Sequence, residues 1–231
     1  MLARCHALAP GLLYAPDFLD RARQERLLAT LHEALRHAPL FTPSMPRTGK
    51  PFSVRMSTCG PLGWVSDRDG GYRYQKLHPD TGNPWPPIPD VALETWQKLA
   101  EHPAPPQACL VNYYAVDARM ALHQDRDEDD LGAPVLSLSL GDSCLFRFGG
   151  TARGGKTRSV KLHSGDALVL GGESRLAYHG VDKIFAGSST LLPEGGRFNL
   201  TLRRVTRYST AEDEGKACRD LPNRADLRSN G

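Results

Sequence analysis

His123, Asp125 and His179 are the residues of this 231-residue chain whose types and spacing could do chemistry together. A His-X-Asp pair is followed, fifty-six positions later, by a second histidine. Two imidazoles and one carboxylate on one face of an iron(II) ion leave its other positions free for O2 and a co-substrate. Arg197 comes eighteen positions after His179. Its planar guanidinium can grip a carboxylate through two parallel N–H bonds, where a lysine offers only a point charge. A metal triad followed by a carboxylate clamp is what oxidation driven by Fe(II), O2 and 2-oxoglutarate requires.

The triplet by itself is weak, because eight histidines in a chain rich in aspartate produce His-X-Asp by chance. A second copy, His78-Pro79-Asp80, lies in HPDTGNPWPPIP, where proline and glycine dictate turns and forbid a central strand, so it is rejected as a ligand pair. His123-X-Asp125 instead follows ACLVNYY (108–114), an apolar and aromatic strand candidate, and a turn at Asp117. Residues two apart on an extended segment point to the same side, so one strand end can offer both to a metal. The competing reading is a solvated acidic loop running from Asp125 to Asp130. For His179 it is a barrel histidine bonded to backbone, and for Arg197 an ordinary surface residue.

Composition bounds the rest. The length suits one large domain or two small ones. The net charge of +3, from 29 basic and 26 acidic residues, is too mild to prove a nucleic-acid binder but permits a local basic face. Five scattered cysteines (Cys5, Cys59, Cys109, Cys144, Cys218) without a Cys-X-X-Cys pair support neither a zinc site nor a disulfide framework. The reducing cytoplasm is the expected compartment. No apolar run reaches the about 18 residues of a membrane span. Pro10-Gly11 interrupts the short apolar stretch after Arg4, which argues against a leader peptide.

The elements that would have to position these residues are legible in part. Residues 17–37 read as an amphipathic helix capped by Asp17 or Asp20, and 89–101 as a second helix opened by Pro89-Asp90. Residues between them are rich in glycine, proline and aromatics and look more like a lid than a core. From residue 107 the pattern turns to short strands: the alternating LSLSL (136–140), then 144–148, 158–163, 167–170, 176–181 and 197–204, with Gly-rich turns between. Such a succession predicts a sandwich or barrel of the jelly-roll kind, whose ends bring distant strands together. Residues 209–231 are polar and read as a disordered tail.

CGPLGW (59–64), NPWPPIP (83–89), LVNYYAVDARMALHQDRDE (110–128), SLSLGDSCLFRFGG (137–150), GDALVLGGESRLAYHG (165–180) and RFNLTLR (197–203) occur in this order. In these blocks the chain resembles the AlkB family of Fe(II)/2-oxoglutarate-dependent nucleic-acid dealkylating dioxygenases, in its bacterial branch, over about residues 8–205. The resemblance implies a mainly β fold with flanking helices (α+β). A double-stranded β-helix core over 107–208 would follow an N-terminal extension, 1–106, that carries a nucleotide-recognition lid at about 40–85, all in one folded domain.

Carried over residue by residue, the resemblance makes His123, Asp125 and His179 the iron ligands. Arg197 would pair with the distal carboxylate of 2-oxoglutarate, with Asn112, Tyr114, Asn199 and Arg203 completing that pocket. Arg197 and Arg203 are six apart, an even interval, so they share one strand face. Trp64 would stack on the damaged base against His123, with Met56 lining the cavity, Tyr72 on the backbone and Tyr74 beside it. Asp127 would lie against the exocyclic amine, and Arg153 near the substrate. Aromatics beside Arg55, Arg68, Arg73 and Lys76 suit a nucleic-acid surface, cations meeting phosphates and rings meeting bases. Leu170 departs from the usual tryptophan and would alter packing near the barrel mouth.

The implied activity is oxidative demethylation of 1-methyladenine and 3-methylcytosine in single-stranded or flipped-base DNA, with RNA as a lesser substrate, by a cytoplasmic monomer. Two alternatives remain at this point. A dioxygenase acting on a protein or small molecule should lack the lid aromatics, and a non-catalytic nucleic-acid-binding module should have lost a ligand.

Overall fold

The computed structural model describes residues 5–208, so the expected tail over 209–231 lies outside the described residues. The chain begins with strands β1 (His6–Ala9) and β2 (Leu12–Ala15), helix α1 (Arg21–His37) and strands β3 (Arg55–Cys59), β4 (Gly63–Asp67) and β5 (Gly71–Gln75). Helix α2 (Asp90–Leu99) leads into β6 (Ala108–Tyr114), β7 (Met120–His123), β8 (Val135–Gly141) and β9 (Ser143–Phe148). The last strands are β10 (Arg158–Leu162), β11 (Ala167–Leu170), β12 (His179–Phe185) and β13 (Arg197–Arg203). A seven-stranded sheet runs β1-β2-β11-β8-β13-β6-β3, a four-stranded sheet β10-β9-β12-β7, and β4-β5 form a separate hairpin.

Strand alternation sorts side chains into two cores. Leu136, Leu138 and Leu140 of β8 and Leu200 and Leu202 of β13 pack with Leu27 and Leu31 of α1 and Trp96 of α2. The opposite face of the large sheet sends Leu110, Tyr114 and Leu168 toward Phe146, Phe148 and Val181 of the small sheet. The result is helices on a large sheet on a small sheet, the jelly-roll core with flanking helices that the sequence predicts. Ser137 and Ser139, which alternation alone would turn to solvent, face this inner space, and Ser139 is buried.

Several boundaries differ from the sequence reading for local reasons. Helix α1 starts at Arg21 rather than 17, because Asp17 has a φ of 50° and Asp20 caps the helix by accepting from the Arg23 amide at 2.8 Å. Helix α2 ends at Leu99, and Glu101 already has a φ of 48°. The strand expected at 176–181 runs instead over His179–Phe185, because a 3-10 turn at Gly172–Ser174 consumes the residues before it. Pro10-Gly11 is the turn between β1 and β2, and Gly11 has a φ of 76°. β2 then pairs with β11, Leu12 opposite Leu170, and Leu170 is fully packed in the inner core.

The segment read as a lid is partly core. β3 adds to the large sheet beside β6, Met56 opposite Asn112, and Val54, Met56, Val65 and Trp85 are buried in the inner core. Its alternation was masked by Ser57 and Thr58, which are buried; the Ser57 hydroxyl donates to the Ala38 carbonyl at 2.7 Å. Only the β4-β5 hairpin stands outside the two sheets. No helix among the described residues is long and apolar enough to cross a membrane.

Cys59 and Cys109 face each other across β3 and β6. Burial pushes the Cys59 thiol up to about 12 and the Cys109 thiol well above its ordinary value. Cys144 is buried and raised as well, whereas Cys5 is exposed. Because the thiolate is the nucleophile, a brief alkylation of the native protein at pH 8 should label Cys5 and spare Cys59, Cys109 and Cys144. Peptide mapping checks this; labelling of the three buried thiols at the rate of the denatured chain would contradict the packing described.

Candidate active site

The β7–β12 ladder sets His123 directly opposite His179, ring centroids 4.5 Å apart. Gly180 permits this approach, since a Cβ there would lie 2.4 Å from the Met120 carbonyl oxygen. Asp125 follows just beyond the end of β7 and brings its carboxylate to 3.7 Å from each histidine Nε2. The donor atoms of the three residues all lie within 4.8 Å of one another. Both histidines orient themselves in the same way: Nδ1 sits 2.9 Å from the carbonyl two residues back, Ala121 for His123 and Ala177 for His179. A carbonyl can only accept, so the hydrogen of the neutral ring is held on Nδ1 and the Nε2 lone pair is left for a metal.

Electrostatics favours the ligand state. Burial, reinforced by His123, lowers the His179 pKa to about 4, so this imidazole is neutral at physiological pH. Burial alone would raise the Asp125 carboxyl, but the adjacent guanidinium groups, Arg203 first and then Arg175, oppose it, and the carboxyl is held well below the usual carboxylate range. His123, with 40% of its side chain exposed against 5% for Asp125, marks the open side of the site. Among the described residues this is the one His/Cys/Asp/Glu grouping with metal-ligand spacing. His78 is instead a structural residue: buried, bonded through Nε2 to the Pro39 carbonyl, and accepting at Nδ1 from the Asp80 and Thr81 amides.

A polar wall lies on the large sheet's inner face. Arg197 stands opposite Tyr114 and Asn199 opposite Asn112 across β13 and β6, so all four side chains face inward. Arg197, 1% exposed, donates to the Ser139 hydroxyl at 2.6 Å and the Asp142 carbonyl at 3.1 Å. Its Nε has no partner, and the buried Asn112 Oδ1 likewise has none. Asn199 donates to the Ser137 hydroxyl at 2.6 Å. Burial keeps the Tyr114 phenol protonated, its pKa raised despite the nearby Arg197. Unpaired buried donors and an acceptor are expensive without a ligand. A dicarboxylate would satisfy the Arg197 Nε–H, and the Asn112 amide could meet one only through its N–H groups, so it is the arginine that fits this wall to 2-oxoglutarate.

Arg203, expected to complete the co-substrate pocket, is engaged mainly by acids. One terminal nitrogen donates to Asp125 Oδ1 at 2.6 Å and the other to Glu128 Oε1 and the Tyr74 hydroxyl, both at 3.1 Å. Only its Nε remains for a co-substrate. Tyr74, expected on the substrate surface, turns its hydroxyl inward to Glu128 and Arg203. Of the basic residues grouped around the lid, Arg73 pairs with Asp67 at 2.7 Å and Arg55 lies over the Tyr113 ring. Arg68 and Lys76 remain exposed on or beside the hairpin.

Trp64 donates its indole N–H to Asp127 Oδ2 at 2.8 Å and is stacked by the half-exposed Tyr72 at 5.6 Å. Asp127 is therefore not idle in an acidic run; it fixes the ring of Trp64 beside the metal loop. Met56 is buried next to Asn112. Arg153 is exposed, its guanidinium 5.8 Å from the Tyr178 ring, at a groove of about 370 Å³ lined also by Leu122 and the 149–155 loop. Sequence reasoning missed Gln124, Glu128 and Arg175. Gln124 points away from its neighbours in the triplet and donates to the Leu176 and Thr151 carbonyls. Glu128 and Arg175 lay inside DRDE and GGESR, where nothing marks one acid or arginine as buried.

The description "2OG-Fe(II) oxygenase superfamily" belongs to a family model that matches residues 11–203. An alpha-ketoglutarate-dependent dioxygenase AlkB homolog of Caulobacter vibrioides is 50% identical over 205 residues, covering 89% of this chain and 92% of that protein. The alpha-ketoglutarate-dependent dioxygenase AlkB of Escherichia coli K12 is 40% identical over 202 residues, covering 86% and 92%. The chain belongs to the AlkB family. The solved structure of OsALKBH1 superposes with a TM-score of 0.72 at 31% identity, covering 87% of this chain and all of that one. This AlkB-family member is an Fe(II)/2-oxoglutarate-dependent dioxygenase, with O2 as second co-substrate.

Two substitutions read the geometry. Arg197→Lys loses the fork and should raise the 2-oxoglutarate requirement at least about tenfold, since a charge-assisted hydrogen bond is worth roughly 1.5–3 kcal/mol. An unchanged requirement in a turnover titration would assign the distal carboxylate to another cation. Gly180→Ala, which replaces none of the three site residues, should weaken metal binding by forcing β7 from β12. Calorimetric titration of the metal-free protein with Mn(II) would detect it, and wild-type affinity would mean the ladder gives way elsewhere.

Proposed function

We propose that this AlkB-family dioxygenase is an oxidative demethylase of N-alkylated bases, 1-methyladenine and 3-methylcytosine, in single-stranded or flipped-base DNA, with RNA as a lesser substrate. The observation that carries this reading is the pairing of Trp64 with Asp127: a flat ring and a carboxylate, the carboxylate two residues beyond Asp125. A flipped base needs a stacking face and a polar partner for its edge. A pocket for a small acid or a protein side chain needs neither. In this reading the protein acts as a monomer in the cytoplasm.

In this mechanism His123, Asp125 and His179 would hold Fe(II), and Arg197, Tyr114, Asn112, Asn199 and the unpaired Nε of Arg203 would hold 2-oxoglutarate. With O2 these would supply the oxidation that converts the N-methyl group to N-hydroxymethyl, which would leave as formaldehyde while 2-oxoglutarate becomes succinate and CO2. The chain's own part is orientation. Trp64 offers its ring to the base, and Asp127, held by the Trp64 indole, keeps a second oxygen for the exocyclic amine. Phosphates flanking the base would meet Arg68, Lys76 and Arg153, which are exposed.

1-Methyladenine and 3-methylcytosine are cationic at neutral pH, whereas 1-methylguanine and 3-methylthymine are not. Asp127→Asn can still accept from Trp64 through its amide oxygen, but it removes the charge and sets an NH2 donor where the exocyclic amine needs an acceptor. Formaldehyde release should therefore fall at least about tenfold more on the cationic pair than on the neutral pair, because attraction grows where water is excluded. All four lesions in one single-stranded context make the measurement. A uniform effect would remove Asp127 from lesion choice, and absence of formaldehyde from every methylated oligonucleotide would favour a protein or small-molecule substrate.

A further inference from the structure

Four charged side chains are buried together behind the metal triad, and two of them have no part in the chemistry described so far. Asp125, Glu128, Arg175 and Arg203 have side chains no more than 7% exposed. Arg175 donates to Glu128 Oε2 at 2.9 Å, to the Asp125 backbone carbonyl at 2.6 Å and to the Ala133 carbonyl at 2.7 Å. Glu128 Oε1 accepts from Arg203 and from Tyr74, so both of its oxygens are engaged. The formal charges cancel, two carboxylates against two guanidinium groups.

We propose that Glu128 is a positioning residue for the metal, acting through Arg203. It occupies one arm of the Arg203 fork, so that Arg203 reaches Asp125 through a single nitrogen and the other Asp125 oxygen stays directed at His179. It also neutralises Arg175. Without the Glu128 charge, two buried cations would face one carboxylate, and Arg203 would be free to grip Asp125 with both arms. A dication would then have to bind beside an uncompensated positive charge in a medium that screens it poorly. Arg175 in turn holds Glu128 Oε2 and offsets its charge. The Tyr74 hydroxyl joins the β4-β5 hairpin to the same cluster.

This proposal rests on the reading of His123, Asp125 and His179 as the metal site, and the test separates the two. Co(II) is titrated by calorimetry into metal-free wild-type protein, Asp125→Asn, Glu128→Gln and Glu128→Gln/Arg175→Gln, with thermal melts to establish folding. Asp125→Asn should lose most Co(II) affinity; wild-type affinity there would overturn the site reading and the proposal with it. Glu128→Gln, which keeps size and removes charge, should weaken Co(II) at least about tenfold. The double variant restores neutrality and should recover to within about threefold of wild type, which a packing role for Glu128 does not predict. Unchanged affinity in folded Glu128→Gln, or a double variant as weak as the single one, would overturn the proposal. If Glu128→Gln does not fold, the double variant decides alone, by binding Co(II) near the wild-type level or failing to.

Discussion

Everything at the centre of this protein depends on one backbone register, the pairing of β7 with β12 that sets His123 against His179. The pleat gives each strand a side-chain period of two, so a slip of one residue would send one histidine to the opposite face of the sheet. Gly180 holds the ladder close, and the carbonyls of Ala121 and Ala177, two residues before each histidine, set both tautomers. The site is thus built from main-chain geometry as much as from its three side chains.

The large sheet applies the same alternation to a different end. On β8, β13 and β6 the apolar residues turn to the helices, while Ser139, Arg197, Asn199, Asn112 and Tyr114 turn inward. A single strand therefore serves stability on one face and presents buried polar groups on the other. Arg197 shows the consequence most directly: its neighbour Phe198 packs in the helical core, and the guanidinium is buried against Ser139 and Asp142.

Burying four charges behind Asp125 is costly, and such clusters contribute little net stability compared with apolar packing. What the cluster provides is definition. It joins β13 through Arg203, the metal loop through Asp125 and Glu128, the turn before β12 through Arg175 and the hairpin through Tyr74. Trp64 on β4 grips the same loop at Asp127. The hairpin lies outside both sheets, yet it is fastened at two points to the segment that carries Asp125.

The sequence by itself determined the ligand types, the jelly-roll succession of strands and the even spacing of Arg197 and Arg203, because these follow from side-chain chemistry and from a local period of two. It placed both helices within a few residues, missing only ends that a cap and a positive φ decide. Only the tertiary structure decided that β3 belongs to the large sheet, since Ser57 and Thr58 look polar until their neighbours bury them. It also decided which charges are buried. Glu128 and Asp127 are adjacent acids in one run, but one is enclosed between two arginines and the other is exposed beside an indole. No local pattern separates them, because burial depends on segments that arrive from β5, the turn before β12, and β13, 47 to 75 residues away in sequence.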